Sequence, residues 1–217
     1  MKKYILVFIL LALVSLLANA SNDAYRKAME KSIHQLYQAK TIAELKDAAN
    51  SFTRIADLNP DEWLPAYYVA VAYAQMGFRS EESVQVKDSY FSMAKANIEE
   101  AATLSPDNSE VVAMMGFITM GELSLDPGSR GQHLSPLAMQ TLGKAVELNP
   151  QNPRALVMMA QMELGTAQFF GQEPEKACNW LNRSLEAFAQ EANELDKSVI
   201  EPLWGAAMAE LMKGACP

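Results

Sequence analysis

The chain is expected to fold as an all-α stack of helical hairpins, and three observations carry that expectation. Half of its 217 residues are apolar and a fifth are charged, the balance of a globular domain rather than a disordered chain. Ala, Leu, Met and Glu are abundant, and no Val/Ile/Thr-rich alternating stretch is bounded by hairpin turns, so helix is the default. The chain also repeats itself: Leu58-Asn59-Pro60, Leu104-Ser105-Pro106 and Leu148-Asn149-Pro150 place prolines 46 and 44 residues apart. Each proline closes one amphipathic stretch and precedes another, because it cannot continue the first helix.

The flanks of these prolines keep the register. Twelve residues before each stands an alanine (Ala48, Ala94, Ala138), and eight before a large apolar residue (Phe52, Ile98, Leu142). Nine after comes Val69, Met115 or Met159, and ten after a small residue, Ala70, Gly116 or Ala160. Small residues at fixed places let two helices approach, and large ones fill the space between them.

Caps and periodicity delimit the helices. Asp23 is expected to cap a first helix whose Tyr25, Met29, Ile33, Leu36 and Tyr37 recur at helical spacing. Thr41 and Glu44 form a capping box for a second helix ending near Leu58. A third spans about Asp61 to Met76, with Gly77 as its stop, and a fourth starts at Ser80 or Asp88 and ends at Leu104. The fifth covers Ser109 to Leu123. After a loop at Asp126-Pro127-Gly128, Ser135-Pro136 opens the sixth, with proline at the first helical position. The seventh runs from Pro153 to Phe170, Pro174 opens the eighth, and a last helix over Glu201 to Lys213 seals the stack.

This pattern of small and large residues around a terminal proline resembles the tetratricopeptide repeat (TPR). The resemblance implies a right-handed superhelix of about three to four antiparallel helix pairs, covering residues 21–217. The period exceeds that family's usual length of about 34 residues, and the excess lies around Phe78–Lys87, Glu122–Leu134 and Thr166–Glu173. Phe169-Phe170-Gly171, Glu175-Lys176-Ala177-Cys178 and Pro202-Leu203-Trp204-Gly205 are also similar to a group of exported TPR proteins of Gram-negative bacteria with no assigned activity.

Residues 1–20 read as a secretory signal peptide. Lys2 and Lys3 precede an apolar run from Tyr4 to Leu17, and Ala18-Asn19-Ala20 gives a small-x-small site with cleavage expected after Ala20. The run is short for a membrane anchor. The mature chain is therefore expected in the periplasm or secreted, without stable membrane insertion. Its 16 basic and 26 acidic side chains repel nucleic acid and anionic lipid. An oxidising compartment permits a disulfide between the two cysteines, Cys178 and Cys216. A turn centred near Lys197 lies nineteen residues from each, so an antiparallel hairpin sets them side by side; the alternative is two unpaired thiols.

No catalytic constellation is visible: no G-x-S-x-G, no H-E-x-x-H and no phosphate-binding glycine loop. With two histidines, His34 and His133, a metal site is not expected, and neither is a cofactor. Binding is the expected function. In the TPR family the first helix of each pair lines a concave groove, and the resemblance places Tyr67, Val71 and Ala74 there. The next units add Ala113, Phe117 and Met120, then Val157, Gln161 and Leu164. Met114, Met115, Met158, Met159 and Met162 border this surface, either as an adaptable rim or as plain packing between repeats. The lengthened turns share one edge, a second candidate surface carrying Phe78, Arg79, Arg130, His133, Phe169 and Phe170. Phe169 and Phe170 could instead fold back on their own hairpin, and Arg130 could cap a helix. The leading expectation is a module or scaffold holding a peptide or partner protein. The alternative is a small-molecule or lipid-binding repeat protein serving a transporter; an enzyme ranks below both.

Overall fold

The computed structural model describes residues 22–193 and 200–216. The segment read as a signal peptide, with its cleavage point after Ala20, and the turn placed near Lys197 lie outside the described residues. Among those described, the chain is all-α. Helix α1 covers 22–38. It is followed by α2 (Ile42–Leu58), α3 (Trp63–Arg79), α4 (Val84–Leu104), α5 (Ser109–Leu125), α6 (Pro127–Leu148), α7 (Pro153–Phe170), α8 (Glu175–Asn193) and α9 (Ala206–Met212), with a 3-10 turn over Lys213–Ala215. Helix α3 packs along α4, α5 along α6, and α7 along α8; α3, α5 and α7 also touch side by side. None of the described helices is long and apolar enough to cross a membrane.

The three repeat prolines act as expected. Each sits in a turn directly after a helix whose C-cap residue (Asn59, Ser105, Asn149) has left the helical region, with ψ of 67°, 75° and 99°. A residue before proline is sterically excluded from helical geometry. Two residues beyond the second and third prolines, the Asn108 and Asn152 side chains accept from the first free N–H groups of α5 and α7. Caps of this kind stabilise a helix by about 1 kcal/mol each. The Thr41–Glu44 capping box also forms, with Thr41 Oγ1 accepting from the Glu44 N–H and the Glu44 carboxylate from the Thr41 N–H at 2.9 Å.

The repeat offsets meet in space. A Cβ on Gly116 would run into Leu142, so the small residue after one proline receives the large residue before the next, within one hairpin. A second contact of this type binds two hairpins. The ring of Phe91, fully buried, fills the space over Gly77 of α3 and Gly121 of α5. Gly77 is therefore a packing residue inside α3, which continues to Arg79, rather than a stop.

Other boundaries also differ. Asp23 lies inside α1, bonded to Lys27 at 2.7 Å. Ser83 caps α4, accepting from the Val86 N–H. Helix α6 begins at Pro127, capped by Asp126, so Pro136 stands in its interior. Its first turn is fixed by Arg130, which holds Asp88 of α4 at 2.6 and 2.7 Å and the Glu122 carbonyl at 3.0 Å. The last helix is shorter than expected, and residues 200–205 before it are not helical. Cys178 and Cys216 are joined as a disulfide, tying the end of the chain to α8. Closing a loop with a sequence separation of 38 residues stabilises the fold by about 4 kcal/mol in the loop-entropy picture.

Candidate functional site

The face formed by α3, α5 and α7 is largely covered by the chain itself. Of the nine residues expected to line a groove, Tyr67, Val71, Ala74, Ala113, Met120 and Val157 are buried, Phe117 and Leu164 are half-buried, and Gln161 is exposed. Met114, Met158, Met159 and Met162 are buried too, and Met115 half-buried, consistent with packing between repeats. The segment 200–205 lies against this face and is bonded to it at several points. Tyr68 Oη donates to the carbonyls of Ile200 and Glu201, both at 3.0 Å. Trp204 Nε1 donates to Tyr67 Oη at 2.8 Å.

Arg154 anchors the same segment from α7. Its side chain is 3 % exposed. Its Nε donates to Glu110 of α5 at 2.6 Å, its Nη2 to Glu191 of α8 at 2.6 Å, and its Nη1 to the Trp204 carbonyl at 3.3 Å. Burial opposes the guanidinium charge, but the Glu191 and Glu110 carboxylates outweigh it and push the pKa up. Burial raises the Glu110 carboxyl above the usual carboxylate range even though Arg154 pulls it down. The Tyr67 hydroxyl is likewise held well above the phenol range, first by burial and then by the Glu110 charge. It stays protonated. At the adjoining Gly205, φ is 104°, and an added Cβ would press on the Phe188 ring and the Arg154 stem. Only glycine suits this left-handed, crowded position.

What stays accessible is a row of rings. Phe78, at the end of α3 and 41 % exposed, lies 4.8 Å from Phe117 of α5 at an interplanar angle of 34°. Phe117 in turn lies 5.2 Å from Trp204 at 36°. Both pairs are tilted, neither parallel nor edge-on. Half-exposed Leu203 adjoins Trp204 in the chain, and Phe78 is backed edge-on by the buried Phe91 at 5.1 Å. Phe78, placed by sequence on the edge of lengthened turns, thus shares a wall with Phe117 of the expected groove.

The other residues of that edge divide. Arg79 donates to the Ala39 carbonyl at 3.0 Å, tying α3 to the α1–α2 turn. Arg130 is the clamp described above. His133 is exposed on α6 instead of in a loop, and His34 lines a shallow polar groove between α1 and α2. Phe169 and Phe170 do not fold back on their hairpin. They are 83 % and 66 % exposed, packed only edge-on to each other among ring contacts.

Arg154, Glu110, Glu191 and Trp204 were not singled out as a group by sequence, yet one signal was present. Glu110 and Arg154 stand four residues after consecutive repeat prolines. Opposite charges at the same repeat position fall side by side when the hairpins stack. The Pro202–Gly205 bracket around Trp204 similarly marks a non-helical stretch carrying a large ring.

No protein-family model matches the chain, and no curated protein sequence matches it. Among solved structures, it is similar to the HusA haemophore from Porphyromonas gingivalis, with 27% identity and a TM-score of 0.76 over 88% of this chain and 92% of that one. It is also similar in fold to a thermophilic TPR protein of Thermus thermophilus, at 16% identity and a TM-score of 0.55 over 88% and 98%. The architecture is thus a TPR-like helical solenoid.

Proposed function

We propose that this chain is an exported binding module for a flat, largely apolar macrocycle of the porphyrin class, with haem the first candidate. The observation that carries the reading is the Phe78–Phe117–Trp204 row, whose tilted rings are in contact at 4.8 and 5.2 Å and keep part of their surface open. Aromatic rings prefer offset stacking on such a surface, each pair adding about 0.5–1.5 kcal/mol beyond the area buried. The 27% likeness to a protein named a haemophore supports the same ligand class. Export is supported by the signal-like residues 1–20 and by the disulfide, which persists in the periplasm or outside the cell.

Neither histidine belongs to the aromatic row. A site that captures by stacking and burial binds metal-free protoporphyrin IX about as well as haemin. The test is an absorbance titration of both into the purified chain, repeated with Phe78→Ala and Phe117→Ala. Phe78→Ala should weaken both ligands about 5-fold or more, which corresponds to roughly 1 kcal/mol. Binding of haemin alone, unaffected by either substitution, would move the site elsewhere.

A second reading, docking to a protein partner, is favoured by the exposed Phe169–Phe170 pair. Large exposed aromatics are the usual anchors of protein interfaces. A photoreactive residue at 170, used for crosslinking in the native compartment, distinguishes this reading from ligand capture. Capture of one defined protein would support it; no crosslink would leave the pair as ordinary surface. The α3–α5–α7 face is less suited to an extended peptide, because residues 200–205 already lie on it.

A further inference from the structure

Trp204 is the one ring of the wall that no repeat supplies. It belongs to the non-helical residues 200–205, and its position depends on partners far away in sequence. Tyr68 holds the Ile200 and Glu201 carbonyls, Tyr67 holds the indole N–H, and Arg154 holds the Trp204 carbonyl. From Gly205 the chain continues through α9, which touches α7 and α8, to the Cys178–Cys216 disulfide. The segment is therefore fixed near its start by buried side chains and at its end by one covalent bond. Met208 and Met212 of α9 and Cys216 itself are half-buried against the same apolar cluster as Phe117 and Trp204. Both cysteines are partly exposed, so the pair does not lie in the fully buried core.

We infer that residues 200–216 form a disulfide-clipped strap that supplies the third ring of the ligand wall, so that ligand affinity follows the redox state of Cys178–Cys216. The inference rests on the porphyrin reading and adds to it how the site is assembled and loosened. The opening reaction is a thiol–disulfide exchange with a dithiol reductant. One reductant thiolate attacks a sulfur of the pair and displaces the other cysteine as thiolate, which takes up a proton. The second reductant thiol then attacks the mixed disulfide and releases the remaining cysteine. Two electrons and two protons pass to the protein, leaving two thiols there and one disulfide on the reductant. Without the clip, α9 keeps its contacts with α7 and α8 and Trp204 its bonds to Tyr67 and Arg154, but the segment loses its one covalent restraint at the C-terminal end.

The experiment compares the oxidised full chain, the same chain reduced with a dithiol, and Cys178→Ser/Cys216→Ser. Each is titrated with metal-free protoporphyrin IX followed by porphyrin emission, and amide hydrogen exchange is measured in parallel without ligand. Reduction and the double substitution should both raise exchange over 200–216, leave 63–170 protected, and weaken porphyrin binding about 10-fold. Unchanged exchange over 200–205 with unchanged affinity overturns the strap. Tighter binding after reduction also overturns it, because the segment would then be a plug over the site. Failure of the oxidised chain to bind any porphyrin defeats the porphyrin reading and with it the coupling to affinity. The exchange pattern would still show whether the disulfide clips the segment.

Discussion

Trp204 Nε1 donates to the hydroxyl oxygen of the fully buried Tyr67 at 2.8 Å, across 137 residues of sequence. This bond joins the tail of the chain to α3. Tyr67→Phe keeps the ring and its edge contacts with Trp63 and Tyr68 but removes the acceptor. The indole N–H is then left without that partner at a partly buried contact. A loss of about 1–2 kcal/mol in unfolding free energy is expected, measured by urea denaturation. A variant as stable as the parent would mean that the bond holds nothing.

Arg154 carries a larger share. Replacing it with Leu leaves Glu110 and Glu191, 18 % and 15 % exposed, without their shared cation. Removing one partner of a buried ion pair costs about 3–5 kcal/mol. Arg154→Leu should therefore unfold at markedly lower denaturant, while Arg154→Leu combined with Glu110→Leu and Glu191→Leu should recover most of the loss. A triple variant no better than the single one contradicts this account.

Glu110 sets a pH dependence of unusual sign. Burial raises its carboxyl above the usual range, Arg154 opposes this without cancelling it, and Glu191 and Glu201 add repulsion. A folded state with the higher pKa binds the proton more tightly than the unfolded chain. That contribution is full below the unfolded pKa and is lost as pH rises through the folded value. Glu110→Gln removes the titration, so as pH rises from the unfolded carboxylate range through the raised folded value its urea midpoint should fall less steeply than that of the parent. Parallel curves for the two proteins would rule the assignment out.

Two glycine classes should behave oppositely. A Cβ at Gly121 or Gly77 would overlap the ring of Phe91, which is fully buried. Either alanine variant should lose about 1–3 kcal/mol through overpacking. Gly131 is helical and nothing lies within 4 Å of its added Cβ. Gly131→Ala should gain about 0.5–1 kcal/mol from helix propensity. Thermal midpoints of the three variants decide it, and equal shifts would contradict the packing description.

Local chemistry made much of the fold legible in advance. The helix ends at Leu58, Leu104 and Leu148, the Thr41–Glu44 box and the start of α7 at Pro153 depend on proline sterics and on capping groups within four residues. The disulfide followed from a count along one hairpin. What was not legible depends on contacts made at long range. Helix α6 starts at Pro127 because Arg130 reaches Asp88, 42 residues away, whereas Ser135-Pro136 is an equally good local start. Gly77 reads as a stop until Phe91 is seen above it. The groove residues carry the apolar character expected of them, but their cover, residues 200–205, has no periodicity to reveal where it packs. Phe78 and Phe169 look alike in sequence, but among the described residues Phe78 meets a ring of a neighbouring hairpin, Phe117, whereas Phe169 meets its own neighbour Phe170.

The claim that the Phe78–Phe117–Trp204 row receives a flat aromatic ligand is tested most directly by NMR on the isotopically labelled chain with metal-free protoporphyrin IX. A stacked macrocycle imposes large ring-current shifts on whatever it covers. The account predicts the largest shifts at the side chains of Phe78, Phe117, Leu203 and Trp204, with the α1–α2 face around His34 undisturbed. Shifts concentrated at His34 or His133, with the aromatic row unmoved, would contradict it.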